Sequence, residues 1–162
     1  MSAALTLRAA REEDLEFLYR VYASTRTEEL AAVPWSEAQR EAFLRMQFRA
    51  QHVDYHRNFP EAAFLVVEAN AVPIGRLYLH RRSDEIRVVD IALLTEHRGR
   101  GIGEVLMRQV IAEADEKRLP VRIHVEHVNP AQHLYDRLGF RRVGDTGVYY
   151  LMERSPNNAP LR

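Results

Sequence analysis

Residues 98–103 read Arg-Gly-Arg-Gly-Ile-Gly, placing three glycines and two arginines between an apolar run and an amphipathic one. Glycine serves where backbone turns sharply or something lies close against it. A strand–glycine turn–helix unit is a ready anion site, because the first helical turn has N–H groups without internal partners and a partial positive charge. Gly99, Gly101 and Gly103 would let the turn wrap, with Arg98 and Arg100 adding charge-assisted hydrogen bonds. One charge near a helix end contributes only ~0.3–1 kcal/mol, so several donors must converge for useful affinity. Two common phosphate motifs do not fit. There is no Gly-Lys-Ser/Thr of a P-loop, and Glu104 stands where the dinucleotide fingerprint needs a third glycine. On local pattern alone a solvated connection remains the other reading.

Two histidine pairs are weaker candidates. His52 and His56 share a helical face at a spacing of four, but no third ligand is evident and the glutamate of a zinc-protease motif is missing. His124 and His127, three apart on a predicted strand, should face opposite ways. No metal is expected.

The chain has 162 residues, enough for one ordinary domain with a core, and 23 basic against 23 acidic side chains. That balance gives no reason to expect nucleic acid or an anionic membrane as partner. The lack of cysteine excludes a thiol nucleophile, disulfides and sulfur-ligated zinc. No segment is apolar enough to span a bilayer as a helix, and the opening MSAALTLRAAREED lacks the basic-then-apolar order of a secretory leader. A soluble, cytoplasmic protein is expected, with one domain over 1–154 and a frayed tail over 155–162.

Periodicity orders the elements. A short strand at 5–9 precedes a helix from Glu12 to about Leu30. Ser36 then caps a second helix running to about Arg57. Strands follow at 63–68, 73–80 and 85–94, the first two forming a hairpin. A helix runs from Ile102 to about Arg118, with Leu119-Pro120 stopping it. After a strand at 121–127, Asn129 and Pro130 open a short helix as cap and first residue, which Gly139 closes. FRRVG and GVYYLMER supply the last two strands. Hairpins with one strand–helix–strand crossover argue for a mixed α/β (α+β) sheet flanked by helices.

Arg98-x-x-Gly101-x-Gly103, after an apolar strand and opening a helix, resembles the acyl-CoA pyrophosphate loop of the GNAT superfamily of CoA-dependent N-acyltransferases. VNPAQHLYDRLGF, residues 128–140, resembles that family's second motif, and the hairpin AFLVVEANAVPIGRLYLH its approach to the fourth strand. From about Leu5 to Met152 the element order agrees. The resemblance implies a mostly antiparallel seven-stranded sheet, about four helices, and strands four and five splayed apart.

On matching positions, the resemblance implies that amides from Arg98 to Glu104, Ile102 included, cradle the pyrophosphate of acetyl-CoA or another acyl-CoA. Ile91, Ala92 and Leu93 would present backbone to the pantetheine arm, with an N–H near Leu93 as oxyanion donor. Tyr135 would protonate the departing thiolate, and Ala131, one turn earlier, leaves it room. Asn129 could also bond the arm, and Arg137 a phosphate. Asp90 and His80 are base candidates, with Glu126 or a water chain as alternatives. For the acceptor pocket the resemblance points to Tyr22, Glu28, Trp35, Glu126 and Tyr149, carboxylates and aromatics suited to a cationic amine. The expected activity is direct acetyl transfer to a primary amine, on a small molecule, protein or peptide; a second copy of the chain is an allowed partner. The rival readings are a non-catalytic acyl-CoA sensor on the same fold and an ATP-binding protein, the latter disfavoured by the missing P-loop lysine.

Overall fold

The computed structural model describes residues 4–157, so the end of the expected tail, 158–162, lies outside the described residues. Strand β1 (Leu5–Ala9) leads through a 3-10 turn (Glu12–Asp14) into helices α1 (Leu15–Ser24), α2 (Thr27–Ala31) and α3 (Glu37–Asn58). Strands β2 (Ala63–Ala69), β3 (Val72–Arg81) and β4 (Ile86–Leu93) follow. Then come α4 (Ile102–Glu116), β5 (Val121–Glu126), α5 (Gln132–Arg137), β6 (Arg141–Asp145) and β7 (Tyr149–Arg154). The seven strands form one sheet in the order β1-β2-β3-β4-β5-β7-β6. β5 runs parallel to β4 and antiparallel to β7, so α4 is the crossover of a parallel unit in a mainly antiparallel sheet. This is the predicted fold class, with five α-helices among the described residues.

By internal contacts the chain falls into two units, one of residues up to Leu77 with Ile91–Arg98, the other of Tyr78–Asp90 with the chain from Gly99 on. In the first, Phe17, Leu18, Val21, Tyr22, Leu44, Phe48 and Val66 form a buried cluster against which Ala92 and Leu94 pack. In the second, α4 buries Leu106, Met107, Val110, Ile111 and Ala114 along one face, whereas Val105 is exposed. No helix among the described residues is long and apolar enough to cross a membrane.

Local chemistry explains where expectation and structure agree or part. Ser36 caps α3 as predicted: its hydroxyl accepts from the Gln39 N–H at 3.1 Å while the Gln39 side chain accepts from Ser36 N–H at 2.9 Å. The β2–β3 hairpin turns at Asn70 and Ala71, both at positive φ (51° and 68°), as a tight hairpin turn requires. The single helix expected over 12–30 is instead broken in three. Ser24, Thr25 and Thr27 donate hydroxyl hydrogens to the carbonyls of Val21, Tyr22 and Ala23. The last two carbonyls also accept from Thr25 and Arg26 N–H, three residues on, at 3.0 Å, a tightened turn where the helix would have continued. α5 likewise starts at Gln132 rather than Pro130: Asn129 Oδ1 accepts from Ala131 N–H at 2.9 Å, tying Pro130–Ala131 into a turn before the helix. Gly139, at φ 93°, ends that helix as expected.

Near the end of β1, Arg8 forks onto Asp14 with two 2.8 Å bonds, and Arg11 N–H donates to the same carboxylate at 2.7 Å. The Arg8 side chain chiefly, with the Arg11 amide, holds Asp14 down at about 2. A lowered folded-state pKa stabilises above the unfolded carboxylate's value of about 3.9 and ceases to as pH falls through the folded value. Asp14→Asn should therefore lose about 2 kcal/mol in neutral urea unfolding. Its stability should also fall less steeply than the parent's as the medium is taken from about pH 4 towards pH 2.

Candidate active site

After β4 the chain makes a 3-10 turn (Thr95–His97) and then a glycine turn that opens α4. Gly99 and Gly101 adopt left-handed φ values of 74° and 81°, so side chains there would be strained. Gly101 is the N-cap of α4 and has no side chain to satisfy the helix. The Arg98 amide already donates to Thr95 carbonyl at 3.2 Å, which removes it from the cradle that the sequence suggests. The amides of Gly99 through Glu104 are different. Among the described residues none has an acceptor, and the ladder of α4 begins with Val105 N–H on Gly101 carbonyl at 3.1 Å.

Gly103 is the informative glycine. It is helical with no positive φ, and an added Cβ would meet no atom within 4 Å. Neither conformation nor packing calls for glycine there, although glycine costs a helix about 1 kcal/mol relative to alanine. A Cβ there would stand in open space on the first turn, whose amides have no acceptor among the described residues. The donor set of consecutive main-chain N–H groups at a positive helix end fits a diphosphate.

The nearby charges are arranged around Glu104, in the same first turn. Its carboxylate is bonded by Arg108 at 2.8 Å and Arg137 at 3.0 Å, and those two side chains lower its pKa. Arg137 thus sits beside the start of α4, as a phosphate contact would need, engaged with Glu104. Arg100 is exposed and has no ion pair or hydrogen bond among the described residues. Arg98 turns the other way: Nε donates to Leu93 carbonyl and Nη2 to Ser24 Oγ, both at 3.0 Å.

The end of β4 is held closely. Leu94 N–H donates to Ile74 carbonyl at 2.9 Å. A Cβ on Gly75 would fall onto the Ala92 carbonyl oxygen and within 2.7 Å of Leu93 Cδ2, so only glycine lets β3 approach here. Sequence reasoning passed over Gly75, although a glycine inside the apolar run PIGRLYLH is the signal of such an approach. β4 and β5 pair only from Ile86↔Val121 to Val88↔Ile123, leaving the rest of each strand beyond their shared register.

In the second unit the structure brings Tyr135 and Asp90 within electrostatic reach. Tyr135 is buried, 4% exposed, with its ring 5.6 Å from Phe140. Burial first, and the Asp90 charge second, push its phenol up to about 12. His80, partly buried on β3, belongs to the same unit. Glu126 ends β5 opposite Tyr149, and its half-buried carboxylate has no partner among the described residues. Tyr149 is 40% exposed, edge-on to His124 at 6.3 Å. Asn129 is occupied with its turn.

In the first unit the acceptor candidates separate. Tyr22 is a core residue, 3% exposed and 6.1 Å from Phe48, so the sequence assignment to a substrate surface is corrected by burial. Glu28 is exposed, and Trp35 rests on Phe43 at 5.0 Å, closing the loop before α3. His52 and His56 meet at a tilt with ring centres 4.4 Å apart, and His56 lies flat on Phe64 at 4.0 Å.

Gly103→Ala should raise stability without ligand by about 0.5–1 kcal/mol. In calorimetry the same variant should bind coenzyme A more weakly than the parent, because the new methyl occupies the face that the open amides present.

Comparison with known proteins agrees with this geometry. Residues 15–140 match the acetyltransferase (GNAT) family. A candidate ribosomal protein bS18-alanine N-acetyltransferase of Bacillus subtilis (strain 168) is 28% identical over 155 residues, spanning 93% of this chain and 89% of that protein. The PaiA N-acetyltransferase of Thermoplasma acidophilum, solved in complex with coenzyme A, superposes with TM-score 0.69 at 21% identity, over 94% of this chain and 99% of that one. The Escherichia coli ribosomal-protein-S18-alanine N-acetyltransferase gives TM-score 0.63 at 17% identity, over 98% of both chains. The two structures share the fold, and the family match covers most of the sequence. With a free-amide turn at the head of α4 and a parallel β4–α4–β5 unit behind it, the chain belongs to the GNAT acetyltransferase family and is an N-acetyltransferase.

Proposed function

We propose that this N-acetyltransferase moves acetyl from acetyl-CoA to a primary amine at a protein or peptide N-terminus, by direct transfer with both substrates bound. One observation supports the cofactor half above others: the amides of Gly99–Glu104 have no acceptor among the described residues. The acceptor half is supported by the Bacillus subtilis relative, a candidate enzyme whose name gives an alanine of ribosomal protein bS18 as the residue that it N-acetylates.

Bound acetyl-CoA would supply the acyl group activated as a thioester with a thiolate leaving group. The chain's residues do the rest. Gly99–Glu104 amides, with Arg100 and Arg137, hold the diphosphate. Ile91, Ala92 and Leu93 align the arm through their backbone, the Leu93 N–H stabilising negative charge on the carbonyl oxygen. The amine nitrogen bonds to that carbonyl carbon as the C–S bond breaks, and the bonding pair leaves with sulfur. Tyr135 gives its proton to the sulfur. At about 12, this phenol is protonated at every working pH. A thiol's pKa is about 8.5, so transfer to a fully formed thiolate would be uphill by several pKa units. The phenol therefore donates a hydrogen bond that strengthens as charge develops on sulfur. The proton it passes on is replaced on Tyr135 by the one that the acylated nitrogen releases, so that the transfer runs downhill overall from nitrogen to sulfur.

Asp90 and His80 are the proposed bases for the ammonium proton, and Asp90 has the second task of keeping Tyr135 protonated. Glu126, opposite Tyr149 and without a partner among the described residues, is proposed to hold the acceptor's positive charge. Glu28 and Trp35 remain outer acceptor contacts in this reading.

Thiol release from acetyl-CoA, followed across a panel of peptides and small amines, should be fastest with a peptide amine; binding of coenzyme A without release for any amine would instead establish a sensor. Tyr135→Phe should lower kcat on the order of 10²-fold with the CoA Kd almost unchanged, and no falling limb below about pH 11 should trace to this phenol. Glu126→Gln should raise the acceptor KM about tenfold while leaving the acetyl-CoA KM alone.

A further inference from the structure

Arginine beside a diphosphate loop invites assignment as a phosphate ligand. The bonds of Arg98 point elsewhere. Its guanidinium donates through Nε to the Leu93 carbonyl and through Nη2 to Ser24 Oγ, each at 3.0 Å. Ser24 Oγ in turn donates to Val21 carbonyl at 2.7 Å, so the acceptor for Arg98 is itself fixed at the end of α1. That helix has no basic residue of its own in its last turn, and Arg98 brings a cation to its negative end.

The same peptide plane is pinned from its other side. The Leu93–Leu94 peptide has its carbonyl on Arg98 and its N–H on Ile74 carbonyl at 2.9 Å. One peptide earlier, the Ala92 carbonyl lies where a Cβ of Gly75 would be. Three independent constraints thus converge on the last two peptide planes of β4, and every residue in them belongs to the first unit. A hydrogen-bond donor aimed at developing charge is effective only when its direction is set beforehand, and a 1 Å displacement can cost 10²-fold in rate.

We propose that Arg98 and Gly75 are positioning residues that fix the backbone of Ala92–Leu94 for acyl transfer, with Arg98 acting through Leu93 carbonyl rather than by gripping phosphate. This rests on the acyltransfer reading above. Lysine cannot replace Arg98 in this role, because one ammonium does not reproduce a planar fork reaching a carbonyl and a hydroxyl at once.

The test compares Arg98→Lys, Arg98→Gln, Ser24→Ala and Arg100→Gln with the parent. Arg98→Lys and Arg98→Gln should both lose about tenfold or more in kcat. Their Kd for coenzyme A by calorimetry should stay within about threefold, whereas Arg100→Gln should weaken that Kd. Ser24→Ala should lower kcat less, and add little on top of Arg98→Gln, since the two side chains share one bond. In the ligand-free protein, amide hydrogen exchange at Leu94 should be faster in Arg98→Lys than in the parent. The inference is overturned if Arg98→Gln weakens coenzyme A binding tenfold at unchanged kcat and Arg98→Lys restores it, or if Leu94 exchange is the same in Arg98→Lys and parent. A parent protein that gives no heat with coenzyme A would defeat the acyltransfer reading, while the exchange measurement would still decide whether Arg98 holds the strand end.

Discussion

The first turn of α4 holds its N–H groups out with nothing among the described residues to receive them. Unsatisfied donors are tolerated at a helix end that water or a ligand can reach, and here they coincide with three glycines that keep the approach clear. The surrounding construction protects that arrangement. Two of the glycines supply left-handed backbone that turns the chain out of β4, and the third leaves the helix face bare. Glu104 could have competed for the same positive field from inside the first turn, but Arg108 and Arg137 neutralise it. The proposed anion site is made of main chain, with side chains adjusting the charge around it.

Tyr135 and the end of β4 express a second theme, in which reactive direction is set by packing. The phenol is buried enough for its proton to be held firmly, and the Asp90 charge adds to that hold. In the other unit, Gly75 and Arg98 restrain the strand whose backbone the acyltransfer reading needs. In the proposed reaction, both are cases in which a group's chemistry depends on what is packed around it.

What could be read from the sequence was what short-range chemistry determines. The Ser36 cap, the glycine turn and the crossover between β4 and β5 all have their partners within a few residues or one supersecondary unit. The helix breaks at Thr25 and Pro130 were written locally too, in hydroxyl and Asn side chains that bond the backbone, yet periodicity alone passes over them. Arg98 was not legible, because a long side chain can point either way and its partner Ser24 lies 74 residues distant. Tyr22 belonged to the apolar stripe of α1 and went to the core, where amphipathic spacing would have sent it before any thought of substrate. Glu126 was named from its place on the strand, but that its carboxylate stands without a partner among the described residues is a fact of tertiary packing.

The central claim concerns individual amides, so it is best measured amide by amide. Coenzyme A titrated into 15N-labelled protein should shift the backbone resonances of residues 99–104 most strongly, and those amides should gain protection from exchange at saturation. The Arg98 amide, already bonded to Thr95, should show little change in protection. Saturable binding that leaves the amides of 99–104 unshifted and as exchangeable as before would contradict the account.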